Sequence, residues 1–299
     1  MSLHIEDVIN TLKYNHVDLL PRGELFINRD FLDHFFSKYK GEYVNQLEAA
    51  VQCLGLSVIG IELDPKWSRS LLIEKGYKKL EEYFAVGYIN GPIARFIENY
   101  GFFNAMLSTK NNPSVFSGVA DQLLGEIEEK VKLAYANGFR AIAIADDIAG
   151  NKGLLFSFTY FVDVVWPVYK KIAEIVKGNS LFAFFHSDGD MRKVIEPLIG
   201  TGYDCIHPVD TQAGLNLFEL KKEFGENVSF MGHIDMITWS KEQIHKEIRL
   251  AENEFKKGGL ILGSTSGISM KTVNDKLGML YPQWEREEQS RKQMGGVAP

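Results

Sequence analysis

The chain has 299 residues, 45% of them hydrophobic and 24% charged, an ordinary globular balance, and its formal net charge of −6 argues against a polyanionic partner such as nucleic acid. No apolar run reaches the ~18 residues of a membrane span, and the opening MSLHIEDVINTLKYNHVD lacks the apolar centre of a signal peptide. The two cysteines, Cys53 and Cys205, make neither a CxxC pair nor a disulfide framework, so a reducing, cytoplasmic setting is expected.

Short apolar runs alternate with longer amphipathic stretches. Residues 1–20 read as an N-terminal helical extension. Strand one is expected at Gly23–Ile27, followed by helical stretches at Phe31–Tyr39 and Tyr43–Leu54. Strand two is expected at Ser57–Ile61 and strand three at Phe84–Ile89, with a short extra element somewhere in 92–112. Then come a helix at Ser114–Ala136, strand four at Ala141–Ala145, a helix at Thr159–Val176 and strand five at Leu181–Phe185. The last third holds helix Met191–Ile199, strand six at Tyr203–Ile206, helix Leu215–Phe224, strand seven at Val228–Met231, helix Lys241–Lys257 and strand eight at Leu260–Leu262.

The apolar runs are not polar at alternate positions, as expected of parallel strands buried on both faces. Glycines at 138, 178, 202, 225, 258 and 259 stand where helices stop before the next strand. Strand alternating with helix implies right-handed crossovers in a parallel sheet. Eight strands fit one (β/α)8 TIM barrel spanning residues 1–299. The alternative is an open doubly wound sheet, but its GxGxxG signature after strand one is absent.

In a barrel the chemistry sits where the strands end. Strand one contains Glu24 and ends at Asn28, strand two ends in Glu62 and Asp64, and strand three in Asn90-Gly91-Pro92. Strand four ends in Asp146-Asp147, strand five in His186-Ser187-Asp188-Gly189, strand six in His207-Pro208-Val209-Asp210, strand seven in His233-Ile234-Asp235 and strand eight in Ser264-Thr265-Ser266. Three of the seven histidines therefore end three successive strands, where a helix start alone would not call for histidine. Asp146, Asp147, His207, His233 and Asp235 are candidate catalytic groups; Glu24, Glu62, Asn90, Asp210 and Ser266 are candidate substrate contacts.

His186 and Asp188 lie two apart, so in extended chain they share a face and can chelate a divalent metal or orient each other for proton transfer. The other reading of Asp188 is a cap for the helix beginning near Met191. Asp146 and Asp147, being adjacent, face opposite ways, one to the barrel mouth and one to a loop. Cys205 reads as core. Glu24, inside a strand, needs a partner if it is buried.

Four segments together resemble the uroporphyrinogen decarboxylase-like superfamily, and most of all its corrinoid-dependent methyltransferase branch. They are AIAIADDIAGNKGLLFSFTYFVDVVWPVYKKI at 141–172, FFHSDGDMRKVIEPLIGTGYDCIHPVD at 184–210, FMGHIDM at 230–236 and GGLILGSTSGI at 258–268. The resemblance runs from about Leu19 to Pro282. It implies a barrel, a corrinoid carried on a partner protein, and zinc on a His-x-Cys pair after strand five with a further Cys after strand eight. His186 matches the histidine, Asp188 stands at the first cysteine position, and Thr265 and Ser266 occupy the last loop. The arginine-rich segment of true uroporphyrinogen decarboxylases is replaced by RGELFINRDFLDHFF, so that decarboxylation is not expected.

Either the metal is absent or its ligands are harder. In the second case His186, Asp188 and one of Glu24, His207 or His233 would activate an oxygen-bearing substrate, since oxygen and imidazole ligands leave zinc a stronger Lewis acid than thiolates do. The first functional reading is thus methyl transfer between a small substrate and a corrinoid on a partner protein. The second is a cofactor-free decarboxylase with Asp147 stabilising a cationic intermediate, and the third is a non-catalytic corrinoid- or ligand-binding barrel. No membrane partner is expected. The aromatic helix FSFTYFVDVVWPVY suits a core or a homodimer interface equally.

Overall fold

A computed structural model describes residues 3–63, 82–272 and 275–286; Asp64 lies outside the described residues. Eight parallel strands form one sheet: β1 (Gly23–Glu24), β2 (Val58–Glu62), β3 (Phe84–Asn90), β4 (Ala141–Ala145), β5 (Phe182–His186), β6 (Cys205–His207), β7 (Ser229–Ile234) and β8 (Leu260–Ser264). They are ordered as they come in the chain, and parallel bridges Arg22–Leu262 and Ile27–Ile268 join the first strand region to the last. This is the expected (β/α)8 barrel. Its strands are buried almost throughout, because helices cover the outside and side chains fill the inside.

Contacts group the residues into two compact units. One comprises residues 1–61, 65–85 and 231–299; the other comprises 62–64 and 86–230. In the first, the backbone of residues 23–25 is pressed between two glycines. A Cβ at Gly60 would lie 1.9 Å from the Leu25 carbonyl oxygen, and one at Gly263 2.2 Å from that of Gly23. β1 is correspondingly short. It was expected to run to Ile27, but the chain leaves the ladder after Glu24 and returns only as the single bridge at Ile27.

In the second unit, the uncertain stretch 92–112 holds two helices, Pro92–Tyr100 and Phe102–Asn111. The helix Ser114–Ala136 forms as expected. The expected helix at Thr159–Val176 winds as a π-turn over Phe161–Val165 before continuing through Trp166–Gly178. Pro167 explains this: it has no N–H for the carbonyl four residues back, and its ring crowds that carbonyl, so the preceding turn widens. After β4 a two-stranded hairpin, Ala149–Gly150 with Gly153–Leu154, forms in a stretch where no strand was expected. Among the described residues, no helix is long and apolar enough to cross a membrane. Cys53 and Cys205 are buried and form no disulfide.

Because the obstacles at Gly60 are backbone atoms that cannot swing away, Gly60→Ala should destabilise the protein by ~3 kcal/mol, or prevent folding. Urea denaturation checks this; a loss under ~0.5 kcal/mol would mean that β1 and β2 are not packed so closely.

Candidate functional site

Parallel register aligns the ends of β4, β5 and β6. Ala145 pairs with His186 and His186 with His207, so groups at or just beyond these positions converge. The ladder continues past the strands, with Asp146 N donating to His186 O at 2.8 Å and Ser187 N to His207 O at 3.0 Å. One ligand atom each from Asp147, His186 and Asp188 lies within 4.8 Å of the others, a span that small side-chain rotations close onto a single ion. Both carboxylates are exposed while the imidazole is buried, so the cluster is open on its acidic side.

The loop around these three is tightly held. The Asp188 backbone N–H donates to Asp147 Oδ1 at 2.9 Å, and His186 Nε2 lies 3.7 Å from the same oxygen. Ser187, on the opposite side of the chain, accepts from Ile148 N and donates to the Asp188 carbonyl. Asp210 accepts from the N–H groups of Gly189, Gln212 and Ala213, tying the β5 loop to the β6 loop. Gly189 sits at φ 93°, against the backbone of Ala149 and Gly150, where a Cβ would have no room.

His186 and His207 share one hydrogen bond, Nδ1 to Nδ1 at 2.8 Å. Only one of the two atoms can carry the proton. If His186 donates, its Nε2 turns a lone pair toward Asp147, 3.7 Å away, the state a metal ligand needs. Burial lowers His186 to about 4, against an opposing pull from the Asp147 charge. Burial also lowers His207, reinforced by His186. Both rings are therefore neutral near pH 7. Asp188 is pushed up to about 6 by the protein packed around it and by the charges of Asp147 and Asp210.

Two neutral or hard donor types, imidazole and carboxylate, suit zinc, manganese and similar divalent cations. Among the described residues, the third member of the cluster that could hold an ion is Asp147. Glu24 is occupied by Ser264 and Tyr281, His207 by His186, and His233 by Glu247, while Asp147 completes the cluster. Asp188 does not cap the next helix either. That helix is Arg192–Gly200, and Asp190 accepts from Arg192 N. Spacing paired His186 with Asp188; the register between β4 and β5 brought Asp147 to them.

Asp146 is fully buried and accepts from Ile93 N, Ala94 N and the Tyr169 hydroxyl at 2.9, 2.6 and 2.6 Å. It thus caps the helix after β3 from a neighbouring strand. Gly91 leaves room for its carboxyl group, 2.4 Å from where a Cβ would be. Asn90 and Glu62, at the ends of β3 and β2, are exposed.

Within the other unit, Asp235 accepts from Ile237 N, Thr238 N and the Thr238 hydroxyl, which makes it a turn-forming residue. His233 has φ 118°, rare for a residue with a side chain, and turns its ring to Glu247 at 3.3 Å and to the edge of Trp239. Ser266 is exposed, with its hydroxyl 3.5 Å from that of Thr265. Glu24 accepts from Ser264 N at 2.8 Å, Ser264 Oγ at 3.0 Å and the Tyr281 hydroxyl. Its partner Tyr281 lies 257 residues away, out of reach of any local sequence pattern.

No family model matches the chain, and no curated protein matches it. Solved structures resemble it. A methyltransferase from Methanosarcina mazei matches over 96% of this chain and all of its own, with TM-score 0.72 and 14% identity. The YdhT protein from Bacillus subtilis matches over 94% of this chain and 91% of its own, with TM-score 0.54 and 12% identity. A D-allulose 3-epimerase from Methylomonas sp. matches over 93% and 99%, with TM-score 0.51 and 10% identity. At such identities the likeness establishes the barrel fold.

Two outcomes follow from the buried acids. Asp146→Ala should cost ~3 kcal/mol in urea denaturation, because two backbone donors and one hydroxyl lose a buried acceptor. A cost below ~1 kcal/mol would show that the cap is dispensable. Glu24, raised from 4.5 to about 7 mainly by burial, favours folding while protonated. That contribution is complete below pH 4.5 and fades as pH rises through 7. Between these limits the wild type should lose up to ~3 kcal/mol relative to Glu24→Gln. Parallel stability–pH curves would refute it.

Proposed function

We propose that this barrel is an enzyme of the uroporphyrinogen decarboxylase-like superfamily. It holds a divalent cation on Asp147, His186 and Asp188 and moves a methyl group between a small oxygen-bearing substrate and a corrinoid on a partner protein. The observation that carries the metal reading is the convergence of one buried imidazole and two exposed carboxylates at the ends of β4 and β5. The methyl-transfer reading draws on the segments at 141–172, 184–210, 230–236 and 258–268, with the barrel likeness to a methyltransferase as support.

A cation there would supply Lewis acidity matched to an oxygen atom rather than to a thiolate. The chain's own groups set the conditions. His207 fixes the tautomer of His186, and the Asp188 N–H orients the Asp147 carboxylate. Asp210 holds Gly189 and with it the loop that carries Asp188. The exposed edge of the two carboxylates is the side from which a substrate oxygen can approach.

Elemental analysis of protein purified without chelator should find about one divalent ion per chain, reduced more than about tenfold in His186→Ala and in Asp188→Asn. No stoichiometric metal, with His186→Ala equal to wild type, would end the metal reading. Methylcobalamin or cob(I)alamin mixed with the protein and a panel of methyl ethers and alcohols should show a change in the corrinoid spectrum. Carbon dioxide released from a porphyrinogen would favour the decarboxylase instead, and silence in both assays the non-catalytic barrel.

A further inference from the structure

The hairpin after β4 and the start of helix Arg192–Gly200 enclose a cleft of about 480 Å³. It is in the size range of small-ligand sites. Lys152, at the hairpin tip, stands with Arg192 and Lys193 along its wall, and Phe156 and Phe158 supply apolar surface. Phe158 is 44% exposed, a large ring left open to solvent at the lip. Asp190 is the one carboxylate of the lining, and Arg192 already engages it with two hydrogen bonds, Nε to Oδ1 at 2.9 Å and a terminal nitrogen to Oδ2 at 2.7 Å. Those two charges cancel locally. The Lys193 charge also acts on Asp190, but three cations, Lys152, Arg192 and Lys193, line the cleft against this single carboxylate, so it keeps a positive surplus on a chain whose net charge is −6.

The cleft is also firmly attached to the cluster described above. The Asp190 N–H donates to the Gly150 carbonyl at 3.0 Å, and Leu155 N donates to Ile148 O at 2.9 Å. Gly189, between Asp188 and Asp190, packs directly on the hairpin backbone. One continuous segment, 186–193, therefore carries two members of the cluster at one end and the cationic wall of the cleft at the other. The strand-end residues named from the sequence include no lysine or arginine; these cations come instead from a hairpin tip and a helix start.

We propose that this cleft binds a small organic anion, with its acid group between Lys152 and Lys193 and its apolar, preferably planar, body against Phe156 and Phe158. Paired lysines hold a carboxylate or phosphate by charge-assisted hydrogen bonds, and the rings cover the remainder of the molecule. The site gives the substrate of the proposed enzyme a chemical class, an acid-bearing molecule. It rests on that function only for the claim that the ligand is a substrate; anion binding itself does not depend on it.

Isothermal titration calorimetry with phenyl phosphate tests the proposal, with benzyl alcohol as the uncharged counterpart. Wild-type protein should bind phenyl phosphate saturably, and benzyl alcohol at least about tenfold more weakly. The double variant Lys152→Ala/Lys193→Ala should lose at least about tenfold in affinity while keeping its metal content and its urea midpoint, since both lysines are exposed. His186→Ala should retain the affinity. Absence of saturable binding, or equal binding by the lysine variant, overturns the proposal. So does an affinity that disappears with His186 rather than with the lysines, which would place the anion at the metal cluster. Because metal content is measured separately, the metal reading can fail while this one stands, and the reverse.

Discussion

Parallel register between β4, β5 and β6 is the constraint on which the candidate centre depends. Parallel strands pair at fixed offsets, so the alignment of Ala145, His186 and His207 fixes which residues beyond them can meet. A shift of one residue would carry His186 to the opposite face and separate it from both His207 and Asp147. The imidazole pair, the Asp147–Asp188 contact and the Asp210 tie to Gly189 are successive consequences of that alignment. They continue the ladder beyond the last strand residues, which lets loop residues be placed with nearly the precision of strand residues.

A second organising effect is the cost of burying carboxylates. Asp146 and Glu24 lie wholly inside the protein, and burial pushes each up to about 7 in spite of several donors. Such groups persist because backbone N–H and tyrosine hydroxyl groups are aimed at them. Asp146 joins β4 to the helix after β3 and to Tyr169, while Glu24 joins β1 to β8 and to Tyr281. Asp147 and Asp188, each directly beside a buried residue in the chain, face solvent and have coordination sites to spare. Acids in almost adjacent positions thus divide into those that hold the structure and those that can meet a ligand.

The cationic cleft shows the same economy of chain. The hairpin that rigidifies the β4 loop also raises Lys152 to its tip, and the segment that presents His186 and Asp188 goes on to present Arg192 and Lys193. A ligand bound there would lie along one short, well-anchored stretch, as expected when specificity and reactivity are supplied by neighbouring βα loops.

By itself the sequence determined the eight strands, most of the helices and the positions where polar groups end each strand. Those signals are local: apolar runs, helical periodicity and glycine stops depend on residues a few places apart. It also put His186 and Asp188 on one face, because the period of extended chain is two. Tertiary structure alone decided the partners. Asp147 joined them through the β4–β5 register, Asp146 was taken by a helix 53 residues earlier, and Glu24 by a tyrosine 257 residues later. The same holds for the cleft, whose lysines lie 41 positions apart and look like ordinary surface charges until hairpin and helix are folded together. An Asp reads alike in sequence whether it caps a helix, closes a turn or faces a metal. Only the donors that the fold aims at it separate these roles.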